Sequence, residues 1–385
     1  MKKKLLYITS RFPFPLEKGD KLRAFHQIKF LSKEFDIYLV SLSEKDVPTE
    51  DQKELLPFLK ELKTFKIQGN FLFDALRYLV SDKPLQLAYF HSTKAKKYIH
   101  DLVEKEGIDV CFSQLIRTAE LSKELSIPKV MDYMDAFSEG FKRQSQQYFG
   151  PKSLLYKLEG KRIASYESSI RSNYNNAYII SEQDKNLLNL PLSILKNGID
   201  SSFRETLNLN KEFDLCFVGN MSYPPNVLAA EFLVKQILPL VQIEHPNAKL
   251  LIAGAKPNAK VKSLESKSVK VSGWMEDIRQ AYSSSKIFVA PLFIGTGLQN
   301  KLLEAMAQGL PCITTELCNN ALQAIEGEQI LISNTRESFA ENIISILNNP
   351  DIFNKQIASA KGFIKDNYDW DLIGQQLSND LQSLI

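Results

Sequence analysis

The chain has 385 residues, 44% apolar and 24% charged, the composition of a globular protein of two or three domains with ample core material. Its 48 basic and 45 acidic residues leave a net charge of +3, too balanced for a protein that grips nucleic acid through bulk charge. Four cysteines (Cys111, Cys216, Cys312, Cys318) have no metal-ligand spacing, and only four histidines are present. A metal centre is therefore not expected, and the cysteines read as reduced thiols in a cytosolic protein.

The basic lead-in Met1–Lys4 is followed by an apolar run that stops at Arg11, too short for a signal peptide. It reads as a first strand, Leu5–Thr9. No window holds 18 uninterrupted apolar residues, so no membrane span is expected. Further strands are predicted at Asp36–Leu42, Asp109–Gln114, Lys129–Asp135 and Ala177–Ser181. Helical patterns lie between them at Lys21–Lys33, Glu50–Lys63, Thr93–Glu106 and Ser153–Ser172. Strands separated by crossovers long enough for a helix are the pattern of a parallel sheet.

A domain boundary is expected near Leu190–Pro191. Beyond it the theme repeats. Leu215–Val218 ends in Gly219, Leu250–Ala253 in Gly254, and Lys270–Ser272 in Gly273, followed by strands at Ile287–Ala290 and Pro311–Thr315. Glycines recurring at the carboxyl ends of parallel strands mark a place that a ligand approaches closely. Trp370–Leu384 closes the chain with apolar residues at helical spacing.

The most informative segment runs from Phe293 to Pro311, between two predicted strands. Gly295 and Gly297 permit a tight turn before a helix from Leu298 to Gln308, which Gly309 and Pro311 end. Leu298, Leu302 and Met306 should face the sheet, while Asn300, Lys301 and Glu304 share another side. A helix start with a lysine suits a phosphate. A carboxylate one turn further in suits paired sugar hydroxyls, and phosphate plus ribose means a nucleotide. The third glycine of the dinucleotide fingerprint is missing, and no P-loop sequence occurs.

Glu304-Ala-Met-Ala-Gln-Gly-Leu-Pro311 after a glycine-rich turn resembles the C-terminal signature of GT-B glycosyltransferases of family 4. Weaker likenesses extend over most of the chain: Gly19-Asp-Lys-Leu-Arg23, Lys196-Asn-Gly-Ile-Asp200, Phe217-Val-Gly219, Val271-Ser-Gly-Trp-Met275 and Tyr368-Asp-Trp370. The subgroup resembled is the sugar transferases of bacterial exopolysaccharide clusters.

The resemblance implies an α/β protein of GT-B type. Two Rossmann-like domains with parallel sheets would face each other across a cleft, 1–190 for the acceptor and 191–366 for the donor. A C-terminal helix (367–385) would cross back to the first. It implies retaining transfer of a sugar from a nucleotide-sugar, UDP- or GDP-linked, to a glycan or lipid-linked acceptor, without metal or other cofactor. Lys301 and Glu304 would be catalytic. Gly219, Gly254, Gly273, Trp274, Met275, Gly295, Thr296, Gly297, Leu298 and Asn300 would join them around the donor. Gly19, Arg23 and Gln114 would lie on the acceptor side. Asp132 and Asp135, at the end of the strand predicted to Asp135, suit either an acceptor hydroxyl on that side or the capping of the next helix.

Three departures stand out. Thr296 replaces the first of two glutamates, Gln114 stands where a histidine often follows the fourth strand, and Asn220 and Pro224-Pro225-Asn226 replace diphosphate-binding cations. The loss of the first glutamate and of those cations supports an alternative, a non-catalytic GT-B subunit acting as scaffold or partner of an active transferase. Asp369-Trp-Asp371 spells a string that binds metal in another class of transferase, but it opens the final helix, far from the glycine-rich turn. Between Phe141 and Arg171, seven basic residues stand against Glu159 and Glu167 with interleaved aromatics, which fits either a solvated helical face or peripheral contact with an anionic membrane or lipid-diphosphate acceptor on the cytoplasmic face.

Overall fold

The computed structural model describes residues 2–67, 83–294 and 298–385. The chain divides into two units, Met1–Asn197 with Trp370–Ile385, and Gly198–Asp369. Each is a parallel sheet covered by helices, so the chain has the two expected Rossmann-like domains.

The first unit holds β1 (Lys3–Thr9), β2 (Phe35–Ser43), β3 (Glu61–Lys66), β4 (Val110–Gln114), β5 (Lys129–Asp132), β6 (Asn176–Ile179) and β7 (Ser193–Ile194). Their order is β3-β2-β1-β4-β5-β6-β7, all parallel. The direction of winding reverses between β1 and β4, the topological switch at which open α/β sheets place ligands. Leu5, Tyr7, Leu6 and Ile8 are fully buried because β1 is central and covered on both faces.

The helices of this unit include α1 (Gly19–Leu31), α2 (Leu85–Tyr89), α3 (Phe137–Gln147) and α4 (Pro151–Ile170). The final helix of the chain, Trp370–Gln382, packs against α1. There the Trp370 ring stacks on His26 with centroids 4.9 Å apart. Gly374 lies so close to Phe30 that an added Cβ would come within 2.2 Å of its ring.

The second unit holds β8 (Phe213–Val218), β9 (Leu250–Ala253), β10 (Val269–Gly273), β11 (Ser285–Ala290), β12 (Cys312–Thr314) and β13 (Leu331–Ile332), in the order β10-β9-β8-β11-β12-β13. Its switch lies between β8 and β11. Helix α5 (Pro224–Phe232) follows β8, and α6 (Asn300–Ala307) follows β11. One helical run, Pro224–Glu244, is long and apolar enough by length and composition to cross a membrane. One face of it joins the core of the second unit, with Leu233, Ile237 and Val241 fully buried.

Some expectations need correction. The helix predicted over Glu50–Lys63 is a short helix at Thr49–Lys53, a turn at Leu56–Phe58 and the edge strand β3. Pro57 cannot donate within a helix, and Phe65 then packs beside Tyr98 at 5.4 Å. The strand predicted to Asp135 stops at Asp132, because Met134 turns the chain with φ of 65°. The unit boundary falls after Asn197 rather than Leu190, since β7 adds to the first sheet and Arg23 binds the segment beyond it.

Candidate functional site

The carboxyl ends of β8, β9 and β10 are laced together by their glycines. Gly219 N–H donates to the Ala253 carbonyl at 3.0 Å, and Gly254 N–H to the Gly273 carbonyl at 2.9 Å. Gly254 has φ of +126°, and a Cβ there would lie 2.0 Å from the Gly219 carbonyl oxygen. Only glycine fits that position, so the backbone floor of the site is fixed by sequence.

Above this floor stands α6. Leu302 and Met306 are fully buried against the sheet and Leu298 is half-buried, while Asn300, Lys301 and Glu304 lie on the other, half-buried side, as the spacing predicts. Lys301 Nζ donates to Asn226 Oδ1 at 2.5 Å and sits 5.1 Å from the centre of the Phe217 ring. A Cβ on Gly219 would be 3.1 Å from that same Nζ, so the ammonium lies directly over the end of β8. Burial pulls the Lys301 ammonium down to about 8, with Cys318 and Glu304 opposing the shift. Asn226 is itself 5% exposed and donates to the Asn220 carbonyl at 2.9 Å. A neutral amide thus orients the cation without neutralising it, and the ammonium keeps donors for an anion.

Glu304 Oε2 accepts from the fully buried Tyr282 hydroxyl at 2.6 Å. Burial raises the Glu304 carboxyl, while Tyr282 and Lys301 oppose that shift. The tyrosine holds one oxygen, and the other accepts no hydrogen bond among the described residues. Trp274, 70% exposed, follows the end of β10, and Met275 is half-buried against the core. The expected turn residues Gly295, Thr296 and Gly297 lie outside the described residues.

Sequence reasoning does not reach Asn226 and Tyr282 as site residues. Asn226 stands out in the sequence only as a departure from a cation, and Tyr282, in Ala281-Tyr-Ser-Ser284, carries no sequence signal.

The first unit corrects part of the acceptor-side expectation. Arg23 and Asp132 are both 0% exposed and form an ion pair, Nε to Oδ2 at 2.6 Å and Nη2 to Oδ1 at 3.2 Å. Arg23 also donates to Asn197 Oδ1 and to the carbonyls of Leu195 and Lys196 at 2.8–2.9 Å. Its five donors are all taken within the unit, so it ties α1 to the end of the segment after β7 and offers nothing to an acceptor. Gln114 is likewise buried and donates to the Asp20 carbonyl at 2.8 Å. Gly19 opens α1 with open space around it. Asp135 is half-buried; its carboxyl is pushed up to about 7 by burial and by Asp184 and is drawn back by Arg117. Asp369 and Asp371 pair with Arg204 and Lys33.

Residues 212–349 match the family model described as Glycosyl transferases group 1. The chain is 22% identical over 383 residues to an "Uncharacterized 44.6 kDa protein in cps region" of Klebsiella pneumoniae, covering 95% of this chain and 96% of that one. It is 23% identical over 338 residues to the UDP-Gal:alpha-D-GlcNAc-diphosphoundecaprenol alpha-1,3-galactosyltransferase of Escherichia coli, covering 80% of this chain and 83% of that one. Among solved structures, sucrose-phosphate synthase from Thermosynechococcus elongatus superposes with a TM-score of 0.74 at 16% identity, covering 99% of both chains. HepE of Anabaena in complex with UDP gives 0.70 at 14% identity, covering 99% of this chain and 100% of that one. The chain is a glycosyltransferase on a GT-B fold, and its second unit carries the group 1 glycosyl transferase domain.

Proposed function

We propose that the chain transfers a sugar from a nucleoside-diphosphate sugar, UDP-linked before GDP-linked, to a lipid-linked or glycan acceptor in surface-polysaccharide assembly, with retention at the anomeric carbon and without a metal ion. The observation that carries this reading is the Lys301–Asn226 pair over the glycine floor, a cation with spare donors where a diphosphate leaving group fits. Such preorganised charge stabilises the leaving diphosphate as it develops. Glu304, fixed by Tyr282, suits the ribose hydroxyls, and exposed Trp274 suits the base. The polysaccharide role is supported by the cps-region relative, and the UDP-sugar and lipid-linked acceptor by the galactosyltransferase. A non-catalytic role is not favoured, because a scaffold has no use for an oriented, half-buried lysine.

Peripheral attachment to the cytoplasmic face of the membrane belongs to the same reading. Phe149 is 93% exposed, and Leu154, Leu155 and Leu158 on α4 are exposed beside Lys152, Lys157 and Lys161. Apolar side chains ringed by lysines suit an anionic bilayer surface.

The deciding experiment is donor turnover by the purified protein over UDP-, GDP- and dTDP-sugars with a diphosphoundecaprenol-linked sugar as acceptor, in buffer with and without EDTA. Proton NMR of the product reads the anomeric configuration. Turnover in EDTA with the donor configuration kept is the expected result. An inverted product overturns retention, and activity lost in EDTA and restored by manganese overturns metal independence.

A further inference from the structure

The first unit has a cavity of about 480 Å³, lined by none of the residues assigned to the nucleotide-sugar. Its wall includes Arg11 after β1, Glu44 after β2 and Arg117 after β4, so it opens at the β1/β4 switch of the first sheet. Tyr89 and Phe90 reach it from the end of α2, Phe141 from α3, and Tyr156 and Glu159 from α4.

Two features mark it as built to hold something. First, its polar groups are incompletely matched. Glu159 is 5% exposed; its Oε1 accepts from the Gln86 N–H at 3.0 Å, while Oε2 is buried with no partner among the described residues. Arg11 pairs through Nη1 with Asp20 Oδ2 at 2.8 Å, yet its Nε is buried without an acceptor among the described residues. Buried polar atoms in native proteins are nearly always bonded, so two orphans on one cavity wall point to a ligand that completes them.

Second, the Arg117 guanidinium is held by ring faces rather than by a carboxylate. It lies 4.9 Å from the centre of Phe90 and 4.7 Å from that of Phe137, and among the described residues it forms no ion pair. Burial and the nearby Arg11 lower its pKa to about 10, with Asp20, Asp135 and Glu44 opposing. Two guanidiniums that repel each other in a partly dry pocket are relieved by an anion. Glu159 accepts only, so it asks for a hydroxyl or amide donor on the same ligand. Aromatic rings suit the apolar face of a sugar. Tyr156 stacks on Tyr148 at 5.3 Å, which fixes its orientation.

We propose that this cavity binds an acceptor sugar that carries an anionic substituent, a carboxylate or a phosphate. The anion meets Arg11 and Arg117, a hydroxyl donates to Glu159 Oε2, and the ring lies against Tyr89, Phe141 and Tyr156. The inference rests on the transferase reading and adds the chemical class of acceptor to it.

The test uses the full chain and three small probes: methyl glucuronide, glucose 1-phosphate and methyl glucoside, titrated by saturation-transfer NMR, with UDP titrated in the same samples. At least one acidic probe should bind about tenfold more tightly than methyl glucoside, the order expected of a charge-assisted contact. Arg117→Met should abolish that preference, and Arg117→Lys should keep part of it, which separates lost charge from lost fold. Preference for the glucuronide assigns the anion to a uronic acid of the glycan; preference for glucose 1-phosphate assigns it to the phosphate of a carrier-linked sugar. Equal affinity for charged and neutral probes, or a preference untouched in Arg117→Met, overturns the proposal. UDP binding is read independently, so failure there counts against the donor site alone.

Discussion

Glu304 has two duties in this structure, and substituting it should show both. Its Oε2 accepts from the buried Tyr282 hydroxyl at 2.6 Å, and the proposed function gives its other oxygen to the ribose. Glu304→Ala removes the acceptor of a fully buried phenol whose remaining neighbour, the Lys301 carbonyl, is 3.5 Å away. An orphaned buried donor costs about 1–3 kcal/mol, so the variant should lose that much stability. Loss of a hydrogen bond to a charged group costs a further ~1.5–3 kcal/mol in UDP affinity, or roughly 10–150-fold. Glu304→Gln separates the two duties. Its amide oxygen still accepts from Tyr282, so stability should hold within about 1 kcal/mol while UDP affinity falls by the charged part of the contact. Calorimetric titration with UDP and urea denaturation read the two quantities. UDP affinity unchanged in both variants would refute the ribose assignment, and an Ala variant as stable as the parent would refute the structural one.

Three other outcomes are expected from the same geometry. Lys301 titrates at about 8 in the free protein, and a bound diphosphate favours its charged form, so UDP affinity should be flat below pH 8 and fall about tenfold per unit above it. Lys301→Arg, which does not titrate in this range, should flatten the profile, and an identical slope in both proteins counts against the assignment. Gly254→Ala puts a Cβ at φ of +126° and 2.0 Å from the Gly219 oxygen, and should cost more than about 2 kcal/mol by denaturation while displacing the floor under Lys301. Replacing the exposed Lys157 and Lys161 with glutamine should weaken binding to phosphatidylserine vesicles by about 2 kcal/mol, roughly 30-fold, with the effect shrinking in high salt; vesicle binding that is salt-independent removes the lysines from the contact.

Legibility in the sequence tracks how local the cause is. The strand-ending glycines and the two faces of α6 are readable because close backbone approach and helical spacing are written in adjacent residues. The edge strand β3 is not, because its charged sequence Glu61–Lys66 lacks an apolar face and only its neighbours give it a pair. The turn that ends β5 at Asp132 is hidden for a related reason. Met134 takes a left-handed conformation that its residue type does not announce. Asn226 and Tyr282 reach the site from 75 and 22 residues away from their partners Lys301 and Glu304, a proximity only the folded sheet creates.

Arg23 and Lys301 show why a cation within a recognisable motif does not declare its role, and how counting its donors does. Arg23 has five N–H groups, and the fold supplies five acceptors: two from Asp132, the side chain of Asn197, and the carbonyls of Leu195 and Lys196. A saturated, fully buried guanidinium can only be structural. Removing it strands the Asp132 carboxylate in the interior, a loss of about 3–5 kcal/mol. Lys301 has three donors and one acceptor among the described residues, Asn226, so its desolvation is only partly offset by the protein itself. Lys301→Met should therefore leave stability within about 1 kcal/mol while abolishing nucleotide affinity, whereas Arg23→Met should show the large stability loss. Urea midpoints and UDP titrations of the two variants decide the matter. A Lys301→Met protein destabilised as severely as Arg23→Met would make the lysine a second structural anchor and remove the unsatisfied cation on which the donor site is argued.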